Sequence, residues 1–204
     1  MRWDSLFDDL EGQLDSAWSA EDIERRAEDE RLRIGRLSLR DRMIAYGQSS
    51  VDDPSMTRPM KVILRSGRDI TVQPRTFGRD WIAADLIRQH GSDGACVIAL
   101  AGISSILLHP DDVERSIAEG DDARRGPQIT DRIGFPFVLR DLCRRRTYVT
   151  MSTVMSSDAI GGTLDRVARD HVDIARHARG TPRRARDVAQ VQLVALSAID
   201  LVEL

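Results

Sequence analysis

A mainly β chain is the fold class this sequence predicts: an N-terminal helical arm, then two tandem five-stranded small β-barrels, each led by a short helix. Three observations predict it. The stretch Phe77-Gly78-Arg79-Asp80-Trp81-Ile82-Ala83-Ala84 returns, in order of residue character, as Val167-Ala168-Arg169-Asp170-His171-Val172-Asp173-Ile174. A second shared phrase follows each copy, Val97 to Ile106 and Leu193 to Val202. The apolar runs between turn residues are short, as strands are, and lack a sustained helical period. Strands this short cannot make a wide sandwich, and curling into a closed barrel is the compact way to hide both edges.

The bulk properties set limits. A length of 204 residues allows one large domain or two small ones. The 41% apolar content is enough for globular cores, but aromatics are only 4%, so Val, Ile, Leu and Ala must fill them. A net charge of -3 gives no bulk attraction to phosphate backbones. Lys61 is the one lysine among 30 basic residues, which reads more simply as a high-GC codon effect than as a chemical choice. Cys96 and Cys143 have no Cys-x-x-Cys spacing, the pattern of free thiols in a reducing cytosol. The acidic N-terminus does not read as a signal peptide, and no apolar run approaches the roughly 20 residues of a membrane span. A soluble cytoplasmic protein is expected.

The arm covers residues 1–36. Trp3, Leu6, Phe7, Leu10 and Leu14 form one helical stripe, opposite Asp4, Asp8, Asp9, Glu11 and Asp15. Ser19, three before Asp22, opens a second, densely charged helix over 20–35. Residues 1–35 hold 11 acidic and 5 basic residues, a net of -6. Two readings stand: a solvated arm whose stripe packs on its own barrel, or a docking and dimerisation helix that needs a partner surface.

The first barrel is expected over 37–109. Ser38 caps Leu39 to Ala45, and Gly47 to Ser55 is a turn-rich connection. Strands follow at Met60–Leu64, Ile70–Pro74, Trp81–Leu86, Ala95–Leu100 and Ile103–Leu108. The polar residues 110–132 read as a linker with a helical piece near Asp112–Glu119. The second barrel, 133–204, opens with Ile133–Arg146, in which a short helix is expected over Pro136–Arg146. Its strands are expected at Thr147–Val154, Ala159–Val167, His171–Ala175, Val191–Ala195 and Ile199–Leu204, with Asp158 and Gly161-Gly162 as turn or bulge residues.

A leading helix, five strands, Gly162-Thr163-Leu164 in the second strand and an apolar strand-turn-strand at the end resemble the Sm-like family. The resemblance covers 37–108 and 133–204 and is better in the second unit, because Gln73-Pro74 stands near the Gly-x-Leu place in the first. A Src-homology-3-like barrel is similar to about the same degree. The whole chain also looks like an actinobacterial family of unassigned role. Membership of the Sm-like family implies RNA held by an Asp and an Asn near the turn after the second strand and by an Arg-Gly in the last turn. Here the turn reads Ala168-Arg169-Asp170-His171-Val172, without the Asn. The last turns read Leu196-Ser197-Ala198-Ile199 and Leu100-Ala101-Gly102-Ile103, without Arg-Gly.

Candidate site residues fall into three groups. Arg79, Asp80, Arg169 and Asp170 read first as a structural turn, since recurrence is what a turn requirement produces. Arg176, Arg179, Arg183, Arg184 and Arg186 are the candidate nucleic-acid contact. Residues 135–204 hold 11 Arg against 8 acids, a net of +3, and arginine binds phosphate bidentately. Tyr148 is the main aromatic for base stacking, and the same arginines could meet the acidic arm instead. The stripe from Trp3 to Leu14 is the candidate partner-docking surface. His90, His109, His171 and His177 have no metal-ligand spacing, and neither a phosphate loop nor a nucleophile elbow is present. The expectation is therefore a non-catalytic interaction module, without cofactor or metal, that binds a protein partner or itself. The alternative is an RNA-binding protein.

Overall fold

The computed structural model describes residues 22–48, 58–88, 94–118, 128–154 and 156–204. The docking stripe from Trp3 to Leu14 lies outside them. The chain divides into two compact units, Met1–Asp41 and Arg42–Leu204.

In the first unit, residues 22–36 are helical, α1. Ion pairs three residues apart support it: Arg25 with Asp22, Arg31 with Glu28 at 3.5 Å, and Arg33 with Glu30 at 2.6 Å. Such exposed pairs support the helix only locally. Ser38 and Asp41 then cap the next helix reciprocally, Ser38 Oγ accepting from the Asp41 N–H and Asp41 Oδ2 from the Ser38 N–H. That helix is α2, Leu39–Gln48.

The second unit is mainly β. Its strands are β1 Met60–Leu64, β2 Asp69–Phe77, β3 Trp81–Ile87, β4 Gly94–Ala99, β5 Ile103–Leu107, β6 Tyr148–Thr153, β7 Ser156–Val167, β8 His171–Arg176, β9 Gln190–Ala195 and β10 Ile199–Glu203. All ten stand in one antiparallel sheet, in the order β5-β1-β2-β3-β4-β10-β6-β7-β8-β9.

This order corrects the expected architecture. The strands fall where the apolar runs place them, but they do not close into two five-stranded barrels. Closure of the first would pair β4 with β5. Instead β4 pairs with β10, Ile98 opposite Leu201 and Val97 opposite Val202, and the sheet runs on, open at both ends. Hydrophobic period sets which face of a strand is buried. It does not say which strand satisfies an edge, and here the edge of one half is satisfied by the other half.

The duplication is nevertheless real in the backbone. Each half reads fifth-first-second-third-fourth strand across the sheet. The halves share their irregularities: a bulge in the second strand at Arg75 and at Asp165, and one in the fifth at Ser104 and at Asp200. They share the turn after the second strand. The Gly78 N–H donates to the Trp81 carbonyl and the Ala168 N–H to that of His171. The Leu100 N–H donates to the Asp80 carbonyl and the Leu196 N–H to that of Asp170.

The core follows the same plan. Met60, Val62 and Leu64 of β1 face inward while Lys61 faces out. One cluster holds these with Ile70, Val72, Ile82, Leu86 and Ile98; the other holds Leu139, Val149, Met151, Leu164, Val172 and Ile174. Neither half keeps to itself. Leu201 belongs to the first cluster, while Trp81, Val97 and Ala99 belong to the second.

Helix α4, Phe135–Arg145, covers the second half. Phe135, Leu139 and Leu142, spaced four and three apart, are its buried stripe, and Arg146 closes it in the left-handed conformation (φ 53°). The linker segment holds 3-10 turns and a short helix, α3 Val113–Ile117. Asp112 anchors it, accepting from Arg58 and Arg115 at 3.1 and 2.7 Å. Gly161 and Gly162 are not a turn; both lie inside β7. A Cβ at Gly162 would come 2.1 Å from the Ala175 carbonyl oxygen, so the glycine allows β8 to approach closely.

Candidate interaction site at the sheet junction and edges

The junction between halves is where side chains of distant sequence meet. Leu201 and Val202 have no solvent exposure, and their neighbours Ile199 and Asp200 are as deeply buried. Glu203 receives two arginines of the first half, Arg68 at 2.9 Å and Arg88 at 2.5 Å. Arg68 also reaches the Ser152 hydroxyl of β6 at 2.6 Å. Gly102 touches β10 so closely that a Cβ there would lie 2.4 Å from the Asp200 Cα. The junction is thus an apolar plug, a two-arginine clasp and a backbone contact.

The repeated turn has two fates. In the first half Asp80 Oδ1 accepts the Phe135 N–H at 2.6 Å, capping α4, whose own N-cap residue Gly134 offers no side chain. The Trp81 indole N–H donates to the Ile133 carbonyl at 2.8 Å, and the Arg79 N–H donates to the same oxygen. In the second half the side chain of Asp170 is 82% exposed and pairs with its neighbour His171 at 2.7 Å. That hydrogen bond holds the Asp170 carboxyl below its ordinary range.

The five candidate arginines are not one patch of equal charges. Arg183 makes a bidentate pair with Asp165, at 2.9 and 2.5 Å. Arg186 lies 3.8 Å from Asp187. Arg179 stacks 5.2 Å above the Tyr148 ring, which meets the His177 ring edge-on. Arg176, exposed, is one of the residues lining an open cavity of about 380 Å³, with Thr153, Asp158, Gln192 and Val194. Arg184 is exposed. At the end of α4, Arg144 and Arg145 both pair with Asp141 at 2.6 Å, a bond that lowers the Asp141 pKa.

The buried thiol is inert by environment. Desolvation, with a further push from Glu203, raises Cys96 to about 12, and burial raises the Cys143 pKa as well. Among the described residues no group of three or more His, Cys, Asp or Glu could hold a metal ion, and no helix is long and apolar enough to cross a membrane.

What sequence reasoning missed is the open ends. Among the described residues, strands β5 and β9 each pair on one side only. Their exposed apolar residues are Leu107 on β5 and Val191 and Leu193 on β9. The contrast within the repeat is direct: Val97 is 4% exposed, and its counterpart Leu193 is 66% exposed. The alternation Gln190-Val191-Gln192-Leu193 would by itself turn Val191 and Leu193 inward, so the sequence carries no signal for it. No family model, no curated protein and no solved structure matches the chain.

Proposed function

We propose that the protein is a non-catalytic interaction module that joins protein to protein by strand addition at the two open edges of its sheet. One observation carries the reading. At the β4–β10 junction the chain already adds a strand to an edge, and buries Leu201 and Val202 by doing so. The outer edges keep the backbone groups and the exposed apolar residues such a junction uses, and long uncovered edges are otherwise a liability. The amphipathic segment from Trp3 to Leu14 is a second docking element in this reading. The free thiols Cys96 and Cys143 support a reducing compartment such as the cytoplasm.

The test is sedimentation equilibrium and crosslinking in native lysate, comparing wild type with Leu107→Lys and Leu193→Lys. Edge charges block strand addition, so both variants should lose self-association or a crosslinked protein. The reading fails if the wild type neither associates nor captures any protein that these variants lose.

RNA binding is the competing reading, supported by the exposed Arg176, Arg179 and Arg184, of which Arg179 lies over the Tyr148 ring. Binding at low salt that falls with ionic strength, and falls again when those three become Ala, would favour it over edge pairing.

A further inference from the structure

We propose that the partner at the open edges is a second copy of this chain, with β5 of one copy adding to β9 of the next in the register that β10 uses on β4. The inference rests on the edge-pairing reading above and names its partner.

The repeat fixes that register. Leu201, Val202 and Glu203 of β10 lie opposite Ile98, Val97 and Cys96 of β4. Their counterparts in the other half are Ser105, Ile106 and Leu107 on β5, and Val194, Leu193 and Gln192 on β9. In the copied junction Ser105 faces Val194, Ile106 faces Leu193, and Leu107 faces Gln192. Of the three exposed apolar residues on the edge strands, Leu193 and Leu107 both lie within the copied junction. The free edges are a fifth strand and a fourth strand, so the same operation that joins the halves can recur between copies, head to tail.

The cavity beside β9 supports this placement. Leu201 pairs with Ile98 and belongs to the first half's core cluster, which also holds Leu64, Ile70, Leu86 and Cys96. The residues at the same repeat positions are Thr153, Ile160, Arg176, Gln192 and Val194, and all five line the cavity of about 380 Å³. The cavity thus lies at the repeat positions of residues that share a core cluster with Leu201. Its chemistry has changed together with that of the Leu201 position: Leu64, Leu86 and Cys96 have become Thr153, Arg176 and Gln192, and Leu201 has become Ser105. A hydroxyl among a guanidinium, an amide and a hydroxyl can be hydrogen-bonded, where a leucine would leave those polar groups unpaired.

The copy is not perfect, and the imperfection supplies a test. Gly102 touches the backbone of Asp200 at the inner junction, and its counterpart in the second half is Ala198. The Ala198 methyl meets the same position in the incoming β5, so the outer junction must stand slightly apart. Removing that methyl should let it close.

The experiment uses the full chain with Cys143→Ser. Ile106→Cys and Leu193→Cys chains are mixed and oxidised, with Ile106→Cys and Val191→Cys as the displaced pair, and the disulfide peptides are identified by mass spectrometry. Self-association of Ala198→Gly is measured beside wild type by sedimentation equilibrium, with circular dichroism to verify the fold. The expected result is a dominant 106–193 disulfide and about tenfold tighter association of Ala198→Gly. A displaced or absent disulfide in a protein that still associates overturns the register and leaves edge pairing standing. Unchanged association of Ala198→Gly likewise overturns the copied register. A chain that stays monomeric up to about 0.5 mM overturns the second copy as partner, and edge binding of a different protein is then judged by the Leu107→Lys and Leu193→Lys comparison.

Discussion

Asp80 and Phe135, 55 residues apart in sequence, are joined by a 2.6 Å hydrogen bond from the Phe135 N–H to the Asp80 carboxylate, so a turn in one half caps the helix of the other. Helix α4 has a glycine where its own cap would be, and the borrowed carboxylate also faces the positive end of the helix. Asp80→Ala should lower unfolding free energy by about 0.5–2 kcal/mol in a urea titration. Asp170→Ala, the same residue of the repeat with nothing to cap, should change it far less. Equal effects would show that the turn, not the cap, is what matters.

Leu201 gives the larger number. It has no exposed surface and lies in the first half's core, although it belongs to the last strand of the second. Leu201→Ala should cost about 2–5 kcal/mol by chemical denaturation. Both halves should melt together in one transition, because each core borrows from the other. Two separated transitions would argue against a shared core.

The Glu203 clasp makes a narrower prediction. Its carboxylate is 14% exposed and faces Arg68 and Arg88 together. Removing it strands two guanidinium groups, so Glu203→Ala should destabilise more than Arg68→Ala or Arg88→Ala alone. A double-mutant cycle of Arg68 with Glu203 should return a coupling of about 0.5–3 kcal/mol. A coupling near zero would place the pair among surface ion pairs of little value.

Cys96 should resist alkylation in the native protein at pH 8 and react on denaturation, since burial pushes its thiol up to about 12. The sign of the linked stability follows. The unfolded chain ionises near pH 9 and the folded one does not, so this contribution is complete below pH 9 and is lost as pH rises from there toward about 12. Stability measured across that window should fall less steeply for Cys96→Ala than for wild type, after allowance for the cavity the variant leaves.

Asp170 should titrate below the ordinary aspartate range in a carboxyl-detected NMR titration, and His171→Ala should move it back up. The hydrogen bond to His171 is the leading cause of the shift. Its contribution to the fold is present above the ordinary aspartate pKa and is lost as pH falls through the depressed one. A midpoint unmoved by His171→Ala would assign the shift elsewhere.

Much of the strand pattern was legible because it is local. Alternation around Lys61, the turn residues Ser66-Gly67, and the apolar run from Ala95 to Leu100 each act within a few residues. The repeat was legible too, and Asp80 and Asp170 do occupy matching turns. Closure was not. Whether β4 meets β5 or β10 depends on which strand offers the better plug, and Leu201 stands more than 100 residues from Ile98. The Arg176 to Arg186 run looked like one basic surface because sequence proximity hides direction. In space Arg183 pairs with Asp165, Arg179 lies over the Tyr148 ring, and Arg176 lines a cavity. Gly161-Gly162 reads as turn or bulge chemistry because glycine marks turns, bulges and close approaches alike, and only the neighbouring strand decides between them.

The connection between β5 and α4 ties the two halves into one polypeptide. The inner joint is therefore intramolecular and holds at any dilution, while a joint formed at the outer edges depends on how much protein is present. Any larger assembly must come apart in pairs of halves, so every species seen on dilution contains an even number of them.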